Sequence, residues 1–433
     1  MSALERLLGE YEVQATRGEP SAVRTAAAQS LRMQGLPTRR DENWHYANLR
    51  ALEGLTRFAA APTGATAASS AAALALPDAI EGYTRLLLVD GRLVDGRLLN
   101  AAALPDATGI TRQDFEPAAA SEAADEYTTR GDGRLGLVAR LFASEPLALR
   151  LQGRVALEIV SIATSPSAAC CTDVVLDIAA GAQVKLIERR LTHATPEGAT
   201  ELLDAHNLGL RLAPQASLLH TRLQQTGAHI VQQDTLAAIL GEGAQYRLRQ
   251  VGAGGASARS SMQVRLAGRA ASFELRALSA ARAAQVADAQ FTVLHEAPDT
   301  RSDQLFRGIA SDRAHIACSA DVQVASSAPG ARVQQSLRGL IDGKGAEVDL
   351  RPRLTINTDA VQATHGATTG RLDENLLFYL LARGLDPAAA RSLLKWAFLG
   401  EALGAIDPPA LRRVAGLAAA ARLSDAPARE LLQ

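Results

Sequence analysis

The pattern of hydrophobic positions divides the chain into a helical, a strand-rich and a second helical part. Within residues 2–34 apolar residues recur at helical spacing, and Leu4, Leu7 and Leu8 share one face of the first of two predicted helices. Further along the chain this spacing gives way to short alternating segments such as Val155–Val160, which are typical of strands. Helical spacing returns near the end, so the pattern predicts an α–β–α order of elements.

Local signals refine the N-terminal part. Asp90-Gly91 separates the apolar runs Leu86–Val89 and Leu93-Val94, which predicts a β-hairpin. The run Leu135–Phe142 predicts a further helix, and residues 59–77 are small and polar enough to form a linker.

A small-residue corner followed by alternating apolar positions recurs through the strand-rich part. The corners begin at Gly181, Gln215, Gly243, Ala270, Arg313, Gly330 and Gly345. A small residue tolerates a tight corner, and a repeated corner and strand are typical of the coils of a β-solenoid. The irregular period leaves a β-sandwich with glycine-cornered strands as an alternative, but strands without intervening helices favour a wound sheet.

These signals predict three regions. An N-terminal helical region with a short hairpin covers 1–145, a β core covers 146–365, and a C-terminal helical domain covers 366–433. Within the last region, Asp386-Pro387 and Asp407-Pro408 supply the capping and first-turn proline signals of two helices.

Composition narrows the range of functions. The 433 residues carry a net charge of −1 and only 4% aromatic residues, which argues against a nucleic-acid-binding surface. Three cysteines cannot form a disulfide framework, and neither a signal peptide nor a long apolar run is apparent. We therefore expect a cytoplasmic protein that contacts neither membrane nor nucleic acid.

The familiar motifs of nucleotide, zinc and redox chemistry are missing. The chain has no P-loop, no H-E-x-x-H and no C-x-x-C. Gly131–Gly136 matches a dinucleotide fingerprint in form, but no apolar strand precedes it, so a surface loop is expected. Cys170 and Cys171 are neighbours that would point to opposite faces of a strand, and we interpret them as buried small side chains. His206, His220, His295 and His315 lie in or beside strand segments and are interpreted as structural.

His365 differs from the other histidines in its surroundings. It lies between small residues and glycines, in Ala363-Thr364-His365-Gly366, where the strand pattern ends and the helices begin. Such open backbone leaves room for a partner to approach, and an imidazole there could bind iron. From spacing alone, a histidine that hydrogen-bonds a turn is the stronger interpretation.

The string from His365 to Glu374, followed by Phe378-Tyr379-Leu380, resembles the SufB/SufD family of iron–sulfur cluster assembly proteins. Gly35–Arg40 together with Glu42-Asn43-Trp44 is similar to the SufD branch of that family, and Trp44 is expected to anchor the helical region onto its neighbour. The resemblance implies a right-handed parallel β-helix between two helical regions and the role of a scaffold rather than an enzyme.

The resemblance also implies partners and sites. A SufB-like subunit would pair through the β-helix, with His365 at the shared surface receiving iron or the nascent iron–sulfur cluster. A SufC-like ATPase would bind the C-terminal helices and carry the nucleotide site that this chain lacks. The residues expected at that second contact are Asp373, Phe378, Leu394 and Phe398. Many members carry a cysteine where this chain has Ala363, so a thiolate there is unavailable.

The number of available ligands limits whether the chain can hold an iron–sulfur cluster by itself. An iron–sulfur cluster takes about four thiolate or imidazole ligands, which one histidine and three dispersed cysteines do not supply. We therefore expect a transient cluster shared with the SufB-like subunit. Whether a flavin binds the assembled complex, and whether the isolated chain forms a homodimer, stays open.

Two other functions compete with this interpretation. A secreted-type β-helix enzyme acting on polysaccharide would need clustered carboxylates along one groove, and no repeated Asp/Glu pair occurs at matching coil positions. A SufB-like rather than SufD-like scaffold is the second alternative, against which the few cysteines and the Leu36-Pro37-Thr38-Arg39 segment argue.

Overall fold

The structure is a computed structural model. It describes residues 2–16, 21–44, 47–58, 76–94, 109–113, 127, 133–164, 168–193 and 201–432. Most of the predicted linker at 59–77 and the start of the glycine motif at Gly131 lie outside these residues.

The two predicted N-terminal helices are confirmed. Ser2 caps the first helix in a capping box with Glu5, and the Ser21 side chain accepts a hydrogen bond from the backbone of Arg24 at the start of the second. The N-terminal elements are α1 (Ala3–Ala15), α2 (Ala22–Gln34), a 3₁₀ turn (Glu42–Trp44) and α3 (Leu49–Gly54), followed by α4 (Leu135–Phe142).

The predicted β-helix is confirmed, with two sheets wound from strands that alternate along the chain. One sheet has ten strands in the order β19-β17-β15-β13-β11-β9-β7-β5-β1-β2, and the other has nine in the order β18-β16-β14-β12-β10-β8-β6-β4-β3. Apart from the hairpin β1–β2 and the β3–β4 pair, neighbouring strands are parallel. Each coil therefore adds one strand to each sheet.

The strands are longer than the short segments seen in the sequence. Their bounds are β1 (Thr84–Val89), β2 (Arg92–Leu93), β3 (Ile110–Gln113), β4 (Leu147–Leu151), β5 (Arg154–Ala163), β6 (Cys170–Ile178), β7 (Gln183–Thr192), β8 (Leu202–Leu212), β9 (Ser217–Gln225), β10 (Ile230–Leu240), β11 (Gln245–Gly252), β12 (Ser257–Leu266), β13 (Ser272–Ala281), β14 (Val286–His295), β15 (Arg301–Ser311), β16 (His315–Val324), β17 (Ala331–Asp342), β18 (Glu347–Ile356) and β19 (Val361–Gly370). The predicted hairpin is confirmed, since β1 and β2 pair antiparallel across Asp90-Gly91.

Five of the seven predicted corners coincide with left-handed backbone, whereas Arg313 and Gly345 do not. Gly181, Gln215, Gly243, Ala270 and Gly330 have φ between 57° and 78°. Glycine adopts this region freely, whereas other residues need the support of their surroundings. That support includes hydrogen bonds between stacked corners, in which the amides of Gln215 and Ala270 donate to the carbonyls of Glu242 and Pro298. The corners thus stack coil on coil.

Alternation along each strand fills the interior with apolar side chains. Leu208, Leu236, Met262 and Phe291 are register neighbours on successive strands of the nine-stranded sheet, and each is buried in the central core. Burial of such residues provides the main driving force for folding.

The two helical regions cover the outer faces of the sheets. α4 packs beside Cys171, Leu203 and Ala205 of the nine-stranded sheet. On the ten-stranded sheet, Leu278, Ile309 and other apolar residues meet the C-terminal helices. These helices are α5 (Glu374–Ala382), α6 (Pro387–Gly404), α7 (Pro409–Leu423) and α8 (Ala426–Leu432).

The helix starts predicted in this region are partly corrected. Asp386 caps α6 and Pro387 occupies its first turn, as predicted. α7 begins at Pro409 with Pro408 as its N-cap residue, so Asp407 does not cap it. In the described part of the chain, no helix has the length and apolar character needed to cross a bilayer.

Candidate functional site

The last coil leaves the β-helix open at one end. β18 and β19 are the terminal strands of their sheets and pair on one side only, with β16 and β17. Their other edges meet no strand among the described residues. We call the exposed surface of β18 and β19 the open end. Free edges of this kind accept a further strand from another chain.

His365 lies in the middle of β19, so the interpretation of a histidine that hydrogen-bonds a turn is wrong. The strand runs to Gly370, so the strand core extends beyond residue 365, where the sequence pattern ended it. The large inner-face residues that mark the other strands are missing here, because no coil covers this strand. The sequence signal for the continuation of the strand past His365 was the pair Thr364 and Thr368, whose β-branched side chains favour strands.

The inner face of β19 carries the imidazole. Ala363 packs against the central core, and His365 follows two residues later on the same face of the strand. His365 is nevertheless exposed, because nothing in the described part of the chain stacks on β19. The open end therefore presents an imidazole to an approaching partner.

The N-terminal segment reaches the same end of the molecule. Glu42 accepts a hydrogen bond from Arg353 of β18 over 2.8 Å. Trp44 is buried with the Arg259 guanidinium 3.6 Å from its ring centroid, and Arg259 also donates to the carbonyl of Asn43. The expected anchoring role of Trp44 is confirmed, since this cation–π contact holds the segment on the nine-stranded sheet.

A second exposed surface lies on the C-terminal helices. Phe378 is 72% exposed, and Leu376 and Tyr379 on α5 and Leu393 on α6 are also exposed. We call these four residues the apolar patch. Large exposed apolar side chains on neighbouring helices are candidates for protein-interaction sites.

The four residues predicted at this contact have different surroundings. Phe378 belongs to the apolar patch, whereas the Asp373 side chain caps α5 by accepting from the amides of Asn375 and Leu376 over 2.8 and 3.1 Å. Leu394 is half-buried, and Phe398 packs against the apolar cluster beneath α6. Asp373 and Phe398 thus have structural tasks of their own.

The three cysteines are all buried, as interpreted from the sequence for Cys170 and Cys171. Burial raises the pKa of Cys171 to about 12, and it raises the pKa of Cys170 and of Cys318 well above the usual value. Thiols in this state are protonated near neutral pH and do not act as thiolate ligands. Within the described ranges, no group of three or more His, Cys, Asp or Glu is arranged to hold a metal ion.

The interior also holds a charged network that sequence reasoning missed. Glu188 accepts hydrogen bonds from His206, His220 and Arg222, at 3.0, 2.9 and 2.6 Å. Arg222 also forms a bidentate pair with Asp234 at 2.8 and 2.7 Å. Burial raises the pKa of Glu188, but Arg222 and His206 outweigh it and hold that pKa well below the usual range.

The sequence signal that could have revealed this network is a charged residue at an apolar, inner-face position of a strand. Glu188 on β7, Arg222 on β9 and Asp234 on β10 are such residues. The structural interpretation of the histidines is confirmed for His206 and His220, which bind Glu188. It is also confirmed for His295, which contacts Thr300 and Ser302, and for His315, which contacts Asp349.

Comparison with known proteins decides the family. The model of the SufBD core domain of the SUF system for FeS cluster assembly matches residues 161–398. The chain belongs to the SufBD family. Its similarity to the iron–sulfur cluster assembly protein SufD of Escherichia coli (strain K12) is 28% identity, over 95% of each chain.

Other members of the SufBD family are also similar. A SufBD family protein of Synechocystis is 27% identical over 90% of this chain and 88% of its own length. A SufBD family protein of Mycobacterium leprae is 36% identical over 40% of this chain and 47% of its own length. The predicted resemblance is therefore confirmed, and iron–sulfur cluster assembly replaces the alternative of a polysaccharide-acting enzyme.

The SufBD core match extends from β5 into α6 and so includes the open end and α5. Ala363, the position at which the resemblance implies a cysteine in many members, lies inside it. Its methyl group packs on the central core and cannot bind metal. Among the inner-face residues of β19, His365 alone carries an imidazole, thiol or carboxylate, the side chains that commonly bind iron.

Proposed function

We propose that this chain is a SufD-like scaffold subunit of a SufB–SufC–SufD complex, with a SufB-like partner docked on the open end. The observation that carries the proposal is the pair of free strand edges at the open end, those of β18 and β19. His365 on β19 is exposed to solvent at this end. A partner that adds strands to these edges would satisfy their backbone groups and cover the inner face.

In this proposal the cargo is iron or a nascent iron–sulfur cluster. The imidazole of His365 supplies one nitrogen ligand, and the remaining ligands come from the SufB-like partner, because a cluster takes about four. The buried, protonated thiols of this chain are unsuited to that task.

The second half of the proposal concerns energy input. The apolar patch on α5 and α6 is the surface for a SufC-like ATPase, which hydrolyses nucleotide in place of this chain. Supporting this assignment, Phe378 is exposed although nothing in α5 requires a phenylalanine there. Removal of such apolar surface from water would drive the association.

The test combines His365→Ala with co-purification of the three subunits. The variant is expected to bind the SufB-like and SufC-like partners at wild-type level, while cluster assembly falls at least about tenfold because one ligand is lost. Assembly is measured as the iron and sulfide content of the complex and as activation of an apo-acceptor protein.

Thr364→Ala serves as the control, since it truncates an exposed side chain on the opposite face of β19 and leaves the imidazole in place. Wild-type assembly by His365→Ala would contradict the role assigned to the imidazole. Failure of the wild-type chain to co-purify with a SufB-like partner would contradict the docking.

A further inference from the structure

A short polar column runs through the inner face of the ten-stranded sheet beneath the open end. Gln304, Gln335 and His365 are register neighbours on β15, β17 and β19. Val333 and Leu337, on either side of Gln335, belong to the central core, so Gln335 shares the inner face with them. The column thus begins inside the β-helix and ends at the exposed imidazole.

The Gln335 amide is held in one orientation. Its Nε2 donates to the carbonyl of Ala320 in β16 over 3.1 Å. Its Oε1 is buried without a hydrogen-bond partner, and the residue is only 3% exposed. Because the nitrogen is engaged with the nine-stranded sheet, the atom left over is a hydrogen-bond acceptor. Buried acceptors are almost always paired, which calls for a donor nearby.

Two donors in the column flank this acceptor on adjacent strands, the amide of Gln304 on the inner side and the imidazole of His365 on the side of the open end. Adjacent strands lie about 4.8 Å apart, so register neighbours on one face have their side chains in reach of each other. A neutral imidazole carries one N–H donor and one nitrogen lone pair. Residues that accept from the N–H of a metal-binding histidine fix both its tautomer and its ring orientation.

We propose that Gln335 is a positioning residue for His365. A rotation of the exposed imidazole brings its N–H to the Gln335 Oε1, which the structure leaves unpaired. This hydrogen bond selects one tautomer and leaves the other nitrogen, with its lone pair, directed out of the open end. The selection of the tautomer is a property of the isolated chain. Its use for iron rests on the proposed function.

Gln304 provides a matched control within the same column. It is fully buried, and neither Oε1 nor Nε2 has a partner. It lies two strands from His365, about 9.6 Å at the strand spacing, which is too far for a direct hydrogen bond. The same substitution at the two glutamines therefore separates an effect on the imidazole from an effect on the core.

The experiment is ¹⁵N NMR of the full chain with labelled histidine, with the signals of His365 assigned from His365→Ala. The wild-type ring is expected to show one dominant neutral tautomer. Gln335→Met, which keeps the volume but lacks the acceptor, should change the tautomer ratio about fivefold, the effect of one net hydrogen bond. Gln304→Met should leave the ratio unchanged.

An unchanged tautomer ratio in Gln335→Met would overturn the inference, as would an equal change in Gln304→Met. Unaltered signals from the buried His295 show that each variant is folded. This readout needs neither partner nor cluster, so it is separate from the assembly assay of His365→Ala. If His365→Ala assembled clusters normally, the proposed role of His365 in binding iron would be wrong. The NMR result on the hydrogen bond between Gln335 and His365 would still stand.

Discussion

At the scale of single residues, the environment of His295 makes stability depend on pH. Its two ring nitrogens lie 2.8 Å from the hydroxyl oxygens of Thr300 and Ser302. Burial lowers the pKa of His295 to about 4, whereas the unfolded chain has the ordinary value of about 6.5. Between these values the unfolded state binds more protons than the folded state.

The stability from His295 is therefore fully present above pH ~6.5 and lost as the pH falls towards 4. We expect the free energy of unfolding in urea to drop by about 3 kcal/mol across this range from this residue. His295→Gln, which cannot titrate, should show a shallower pH dependence. The same slope in variant and wild type would contradict the assignment. Burial also lowers the pKa of His220, which acts in the same direction.

Arg222 tests the charged network at the same scale. It is 2% exposed and pairs with two buried carboxylates, those of Glu188 and Asp234. Arg222→Met should lower the free energy of unfolding by about 3–5 kcal/mol, because it leaves buried charge uncompensated. Chemical denaturation at neutral pH measures this loss.

The control for Arg222→Met is an exposed pair of the same kind. The side chains of Arg269 and Asp299 are 68% and 49% exposed and lie 2.7 Å apart. Arg269→Met should cost less than about 1 kcal/mol, since water screens the pair. Similar losses from the two substitutions would show that burial of the network does not determine its contribution.

At the scale of elements, α5 is distinguished by having no buried residue. Phe378→Asp should therefore leave the melting temperature within about 1 °C of wild type, because it changes surface only. In the proposed complex it should reduce association with the SufC-like ATPase at least about tenfold by loss of apolar contact. Pull-down and calorimetric titration with the ATPase measure the association.

Phe398→Asp on α6 is the contrasting substitution. Phe398 packs on the cluster that joins the helices to the ten-stranded sheet, so the buried charge should lower the melting temperature. Unchanged ATPase binding by Phe378→Asp would contradict the assignment of the apolar patch. A large fall in its melting temperature would contradict the surface position of Phe378.

At the scale of the whole molecule, helices cover the outer faces of the β-helix, and no described strand pairs with the free edges of the open end. Glu42 extends from the N-terminal region to Arg353 at that end. A partner on the open end would thus adjoin a segment that lies more than 300 residues away in sequence.

Much of this architecture was predictable from the sequence, because its signals are local. Period-two alternation marks the strands, and residues such as Gly243 mark corners at which the backbone must be left-handed. The caps Ser2 and Asp386 mark helix starts. The family resemblance rested on short motifs near His365 and Trp44, which are equally local.

Only the tertiary structure decided which residues of different coils meet. Pairing of strands about a coil apart brings Gln335 beneath His365 and joins Glu188, Arg222 and Asp234 into one network. A shift of register by one residue would turn each of these side chains to the opposite face. The sequence alone determined strands, corners and caps through local backbone preferences, whereas register depends on packing between segments far apart in the chain.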